Sequence, residues 1–233
     1  SQKGLTTAVF NLPAGFIKVY LPDDIRPGDM ISGSVLAVPS GKNAKQTAKN
    51  LAELKNYAVE FTGQKITVAE AATSFQCNID KSIQPQRTLN LLNGNGENAG
   101  YVIIQSANNE KTQTTPAECK IPTHALTAAP LKINGPFDGN SSNTNCTVGN
   151  QPLPVLAESP RQCQVSYPEN ATGNQNVQVQ EKNQPKCSQQ VLGVELNVSA
   201  GKLNLLKGEK TFLKVAITGL KNLRDTAVLS LVN

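Results

Sequence analysis

The sequence predicts an all-β protein built of β-sandwich modules, with one short helix in the first module and a loop-rich, disulfide-stapled middle region. Three observations carry this expectation. Apolar runs are short, alternate with polar residues in steps of two, and stop at turns bearing Pro and Gly. Hydrophobic residues make up 38% and charged residues 17%, and the gap is filled by 24 Asn and 17 Gln, a composition unlike that of a helical bundle. Four of the five cysteines fall between positions 119 and 187, the stretch richest in Pro, Asn and Gln.

In the first region, residues 1–107, the run 16–21 reads as a strand that ends at the turn Pro22-Asp23-Asp24-Ile25-Arg26-Pro27-Gly28-Asp29. Residues 30–38 form the next strand, stopped by Pro39-Ser40-Gly41. The helix is placed at 44–56, where Ala44, Ala48, Leu51 and Leu54 recur at helical spacing, with Lys45, Lys49 and Glu53 off that face. Residues 57–61 and 65–68 flank Thr62-Gly63-Gln64, a hairpin signal. Strands at 74–80, 88–92 and 100–106 follow, the last two joined by the turn Asn93-Gly94-Asn95-Gly96-Glu97-Asn98. Short strands at this spacing describe a sandwich with one helical excursion.

The second region, 108–190, is punctuated by nine prolines, and only 130–133, 153–156, 162–167 and 176–180 read as strands. Such a stretch buries little apolar surface by itself, so cross-links are expected to hold it. The disulfide candidates are Cys119, Cys146, Cys163 and Cys187; Cys77 reads either as a buried thiol or as the partner of Cys119. Disulfides imply an oxidising compartment, hence a secreted or cell-surface protein. The third region, 191–233, alternates cleanly: Leu192, Val194, Leu196 and Val198; Leu213, Val215 and Ile217; Ala227, Leu229 and Leu231.

Leu203-Asn204-Leu205-Leu206-Lys207-Gly208-Glu209, with the strands that follow it, resembles the opening half of Ig-like β-sandwich modules in secreted or cell-surface bacterial proteins. Leu21-Pro22-Asp23-Asp24-Ile25-Arg26-Pro27-Gly28-Asp29-Met30-Ile31-Ser32-Gly33 is likewise similar to the first turns of sandwich modules in exported bacterial proteins. The resemblance implies adhesion, scaffolding or spacing rather than catalysis. It carries no functional residue over, and the chain lacks the Cys…Trp…Cys spacing of antibody domains.

The chemistry-bearing residues point the same way. His124 is the single histidine, so a zinc site has almost no material. A dyad with nearby Cys119 is geometrically possible, but in this Pro-bounded segment without a carboxylate orienter a surface histidine is the favoured reading. Gly-x-Ser-x-Gly is absent, and a glycosidase cleft built on Asp23, Asp24, Asp29, Glu60 or Glu97 would lack Trp platforms. No enzyme is expected, and no cofactor beyond calcium. The calcium candidates are Asp138, Asn140 and Ser142, oxygen ligands at alternate positions, with Asp23, Asp24 and Asp29 as a second acidic turn. For both segments Asx-stabilised turns are the favoured reading over calcium. The net charge of +5 comes from lysines spread singly, so no nucleic-acid partner is expected, and no apolar run is long enough for a membrane span.

Partners are expected to be other copies of the chain, a surface partner or a glycan, the last on Tyr20, Tyr57 or Tyr101. An ancillary glycan-binding or spacer domain of a larger secreted enzyme is the alternative function. Asn140, Asn145, Asn170 and Asn197 head Asn-x-Ser/Thr triplets and mark surface. The 43 residues of the third region hold at most four strands, fewer than a sandwich needs. Their apolar face requires cover from a continuation of the chain, from the first two regions, or from a strand donated in trans. Leu5, Ala8, Val9 and Phe10 lie in a β-prone segment with no obvious hairpin partner, and are the assembly candidates for a head-to-tail filament.

Overall fold

The computed structural model describes residues 7–81, 86–105, 115–200 and 213–218. Its first half contains β1 (Thr7–Leu12), β2 (Gly15–Tyr20), β3 (Met30–Pro39), α1 (Ala44–Leu54), β4 (Ala58–Phe61), β5 (Gln64–Thr67), β6 (Thr73–Asn78), β7 (Gln86–Leu92) and β8 (Asn98–Gln105). β1, β2, β3 and β6 pair antiparallel in one sheet, and β5, β4, β7 and β8 form a second. Alternation along each strand sends one set of side chains between the sheets. Ile17, Val19, Val35 and Phe75 from the first sheet share a buried core with Val59, Phe61, Leu89, Leu91 and Ile104 from the second. The rings of Phe61 and Phe75 meet edge-on at 6.4 Å.

Local chemistry sets the turns. Thr62 and Gly63 both take positive φ, as a two-residue hairpin loop requires, and Asn93 Oδ1 accepts the N–H groups of Asn95 and Glu97. Asn43 caps α1 by accepting the Gln46 N–H at 2.9 Å. The buried side of α1 differs from the expected stripe. Ala44 and Ala48 are exposed, whereas Asn50 and Leu54 are buried. Asn50 is held there by donating to the Ser40 carbonyl and accepting from Gln46.

The assembly candidates require a correction. Ala8, Val9 and Phe10 belong to β1, which forms a hairpin with β2 across Pro13-Ala14, so the segment is already paired. Ala8 and Phe10 point into the first core; Val9 faces solvent, and Leu5 lies outside the described residues. A strand whose inward side chains fill its own core is not a free donor. Deletion of residues 1–10 is therefore expected to lower stability by roughly 3 kcal/mol through loss of Phe10 alone. Thermal melting with light scattering checks this: the melting temperature falls and the mass of the particle does not.

The second half contains β9 (His124–Leu126), β10 (Pro130–Asn134), a 3-10 turn at Ser141–Asn143, β11 (Thr144–Val148), β12 (Gln151–Leu153), β13 (Val155–Ser159), β14 (Gln162–Ser166), β15 (Gly173–Glu181), β16 (Gln184–Ala200) and β17 (Leu213–Thr218). It holds more strand than the four runs read from sequence. In β15, Val177 and Val179 are buried while Gln178 and Gln180 are exposed, so the amides occupy the wet face of an ordinary half-buried strand. β12, β11, β15, β16 and β17 form one sheet, with β9 pairing β16 in parallel. It covers β10, β14 and β13 over a second core made of Leu131, Ile133, Cys163 and Val165 on one side and Cys146, Val148, Val177, Val179 and Val191 on the other. β16 runs through residues 190 and 191 without interruption and ends paired to β17, Glu195 opposite Thr218 through Ala200 opposite Leu213. Residues 219–233, including the expected strand at Ala227, Leu229 and Leu231, lie outside the described residues.

Candidate functional site

The two cores meet along β3. Ser32 of β3 pairs with Glu158 of β13, so the sheet of the first half continues into that of the second. Side chains multiply this contact. Ser34 Oγ donates to the Leu156 carbonyl at 2.7 Å, and Ser32 Oγ donates to the Gly139 carbonyl at 2.7 Å while accepting the Ser141 N–H at 3.0 Å. Gly139 has φ +81°, and a Cβ there would lie 2.1 Å from the Met30 carbonyl oxygen, so only glycine allows the two backbones this close.

Arg161 closes the junction. Its guanidinium donates from Nε to Asp24 Oδ2 at 2.6 Å, from Nη2 to the Asp24 carbonyl at 2.8 Å, and from Nη1 and Nη2 to both oxygens of Asp29. The side chain is 9% exposed. Burial alone would pull its pKa down, but Asp29 and Asp24 outweigh this and hold it above the ordinary value. Lys132 pairs with Asp23 beside it. The acidic turn of Asp23, Asp24 and Asp29 thus binds cations supplied by the chain itself, where calcium is the less favoured alternative.

Next to this junction three carboxylates converge. The register places Ser32, Glu158 and Cys163 in one row across β3, β13 and β14, and Thr144 opposite Glu181 in the facing sheet. Cross-strand partners point to the same face, so Glu158 shares the core face with Cys163. Asp138 reaches in from the loop after β10. Carboxylate oxygens of Asp138, Glu158 and Glu181 all lie within 4.8 Å of one another. Asp138 is fixed by the Asn143 amide at 2.7 Å, the Asn140 N–H at 2.8 Å and Lys182 Nζ at 3.0 Å. Glu181 accepts the Asp138 N–H at 2.8 Å and pairs with Lys186, whose ammonium stands 4.9 Å from the centre of the Phe137 ring. Glu158 is fully buried, and neither its oxygens nor the buried Thr144 hydroxyl makes a well-aligned hydrogen bond, although Thr144 and the Gly139 backbone stand close enough to favour the charged form of Glu158.

This arrangement separates the carboxyls electrostatically. Burial, reinforced by the charges of Asp138 and Glu181 and only partly offset by Thr144 and the Gly139 backbone, pushes Glu158 up to about 7. For Asp138, burial raises the pKa, but Asn143, the Asn140 N–H and Lys182 overcome it and hold the carboxyl below its ordinary value. Folded Glu158 keeps its proton through a range in which the unfolded chain, with a carboxyl near 4.5, has lost it. Its contribution is therefore complete below about pH 4.5 and lost as pH rises through 7. In chelator-treated protein, urea unfolding is expected to show a loss on the order of 2 kcal/mol between pH 5 and pH 8. Glu158→Gln should flatten that decline.

Of the calcium candidates, Asp138 stands in the carboxylate cluster. Asn140 and Ser142 do not: Asn140 Oδ1 accepts the Ser142 N–H and the Gln76 amide, and Ser142 is exposed. The spacing that suggested a loop of ligands is two successive Asx turns, Asp138 to Asn140 and Asn140 to Ser142. Glu158 and Glu181, the other members of the cluster, were missed because each sits inside a strand, far from Asp138 in sequence. Their only signal was an acidic residue at an inward position, and the bulge in β13 between Val155 and Ala157 conceals that alternation.

Cys119 and Cys187 form a disulfide. Cys77, Cys146 and Cys163 are thiols, and Cys163 lies against Cys146 in the second core. Tyr57 packs against the first core, while Tyr101 stands exposed on β8. His124 is exposed on β9 with Nδ1 2.9 Å from Thr123 Oγ1.

No family model and no curated protein matches the chain. Among solved structures it is similar to the Bacteroides ovatus mixed-linkage glucan utilization locus SGBP-B in complex with a mixed-linkage heptasaccharide, at 15% identity and a TM-score of 0.30. That match covers 75% of this chain and 44% of the other. It is also similar to an ICAM-5 D1–D4 ectodomain fragment, at 10% identity and a TM-score of 0.24, over 90% of this chain and 59% of the other. The chain thus spans less than two thirds of either. The assignment of a β-sandwich rests on the strand pairing and the two cores described above.

Proposed function

We propose that this chain is a non-catalytic structural module of an extracellular surface, whose two sandwiches act as a single stiff body. The observation that carries this reading is the junction. A continuous sheet, paired backbone-to-hydroxyl contacts and a guanidinium held by two carboxylates join the two cores, where a flexible linker would leave them independent. The Cys119–Cys187 disulfide supports an oxidising compartment. Among the described residues no helix is long and apolar enough to cross a membrane.

A second reading, binding of glycan, has one observation in its favour: Tyr101, 65% exposed on an edge strand beside exposed Ile103, offers a face on which a sugar ring could stack. Affinity electrophoresis through gels containing soluble β-glucan, xylan or mannan separates the two. The structural reading expects unchanged mobility in each gel. Retardation that disappears in Tyr101→Ala would replace it with the glycan-binding one.

A further inference from the structure

We propose that Asp138, Glu158 and Glu181, with the hydroxyl of Thr144, bind a divalent cation of the calcium type between the two sheets of the second core. The three carboxylates lie within 4.8 Å of one another at their oxygens. The second and independent observation is Glu158 itself, fully buried in the opposite sheet, with a carboxylate oxygen in the cluster and neither oxygen held by a well-aligned hydrogen bond. Thr144, directly opposite Glu181 in the register, adds another buried and unpartnered oxygen. Buried polar groups are satisfied in native proteins, so a set of unpartnered acceptors around one point calls for a cation.

The donor set selects the ion. These ligands are oxygens alone, and three carboxylates with one hydroxyl supply most of the six to eight that calcium takes, some bidentate. Magnesium prefers to keep its waters and demands stricter octahedral geometry. Two features already hold the ligands in place: the Asx turn and Asn143 fix Asp138, and the Asp138 N–H fixes Glu181. Lys182 and Lys186 partly balance the three acids. Lys186 is tethered between Glu181 and the Phe137 ring, but Lys182 sits at positive φ in the turn between β15 and β16, with its side chain 65% exposed. Lys182 is thus the competing charge that leaves when the cation enters.

The test uses the full chain, stripped with a chelator and titrated with CaCl2 by calorimetry, alongside thermal melting. Binding with a Kd on the order of 0.1–1 mM is expected, as for extracellular calcium modules. At 10 mM CaCl2 the melting temperature should rise by about 3 °C or more, and by less with MgCl2. Lys182→Gln, an exposed substitution that leaves the fold intact, should tighten calcium binding about three-fold or more, and Glu158→Gln should abolish the response. Should Glu158→Gln fail to fold, the other two proteins still decide. Melting curves unmoved by CaCl2 in both the parent chain and Lys182→Gln overturn the proposal, as does binding of ZnCl2 with none of CaCl2.

Discussion

Arg161→Ala is expected to cost about 4 kcal/mol and to split a single unfolding transition into two. The loss exceeds that of a surface ion pair because the guanidinium is 9% exposed and Asp29 11% exposed, so removal leaves carboxylates stranded where water reaches them poorly. Arg26 recovers part of this, since its backbone N–H and its guanidinium already reach Asp29 and Asp24. Arg161→Lys should give an intermediate loss: it keeps the charge but lacks the planar fork that spans Asp24 and Asp29 together. The split follows from position. With the clamp gone, the two cores are joined by the Ser32–Glu158 pairing, the Lys132–Asp23 pair, the Gln164 and Gln76 amide contacts and a few hydroxyl contacts, and each then unfolds at its own denaturant concentration. Urea titration followed by both tyrosine fluorescence and circular dichroism reads this directly: coincident curves in the parent chain, and separated ones in the variant.

Removing the Cys119–Cys187 disulfide, as the double serine variant, should cost about 4 kcal/mol on the chain-entropy estimate for the 68-residue separation it closes. The bridge anchors the segment before β9 to β16, and Cys119 sits so tightly beside Gly135 that a Cβ on that glycine would lie 2.9 Å from the Cys119 Cα. Cys146 and Cys163 extend the same prediction. Their thiols meet between the two sheets, and a disulfide-donating oxidant that takes two electrons and two protons from the pair joins them across the core. Contact with Cys146, then burial and the nearby Glu158, holds the Cys163 thiol well above the ordinary pKa, so Cys163 presents almost no thiolate for exchange while the protein is folded. Closure therefore belongs to folding under oxidising conditions. Protein folded with oxidant, then denatured and alkylated without reductant, is expected to carry one label, on Cys77. Three labels would show that the second pair stays reduced.

The first core was largely legible because its signals are local. Short apolar runs ended by Pro and Gly turns located β2 and β3, the alternating Phe75, Cys77 and Ile79 located β6, and the Asn-Gly run between β7 and β8 fixed a hairpin that the structure forms with Asn93 as its hinge. The second was harder to read. β11 and the first half of β16 are made of Thr, Asn, Gln, Ser and Lys on their wet faces, which resembles loop composition until the buried Cys146, Val148 and Val191 are seen to belong to a sheet. Pairing was not legible at all for β1: Ala8 and Phe10 look free until Pro13-Ala14 is recognised as a two-residue loop. The carboxylate cluster joins residues 20 and 23 positions apart through sheet register, and the Arg161 clamp spans 137 and 132 positions. Nothing in local sequence encodes such distances; they follow from how two sandwiches dock.

That docking is the centre of the account, and residual dipolar couplings of backbone amides measure it. Couplings from β2, β3 and β7 are fitted to one alignment tensor, and those from β11, β14 and β15 to another. A stiff two-sandwich body predicts tensors of equal magnitude and common orientation in the frame of this structure. Tensors that differ in magnitude or axis would show that the halves move independently and would contradict it.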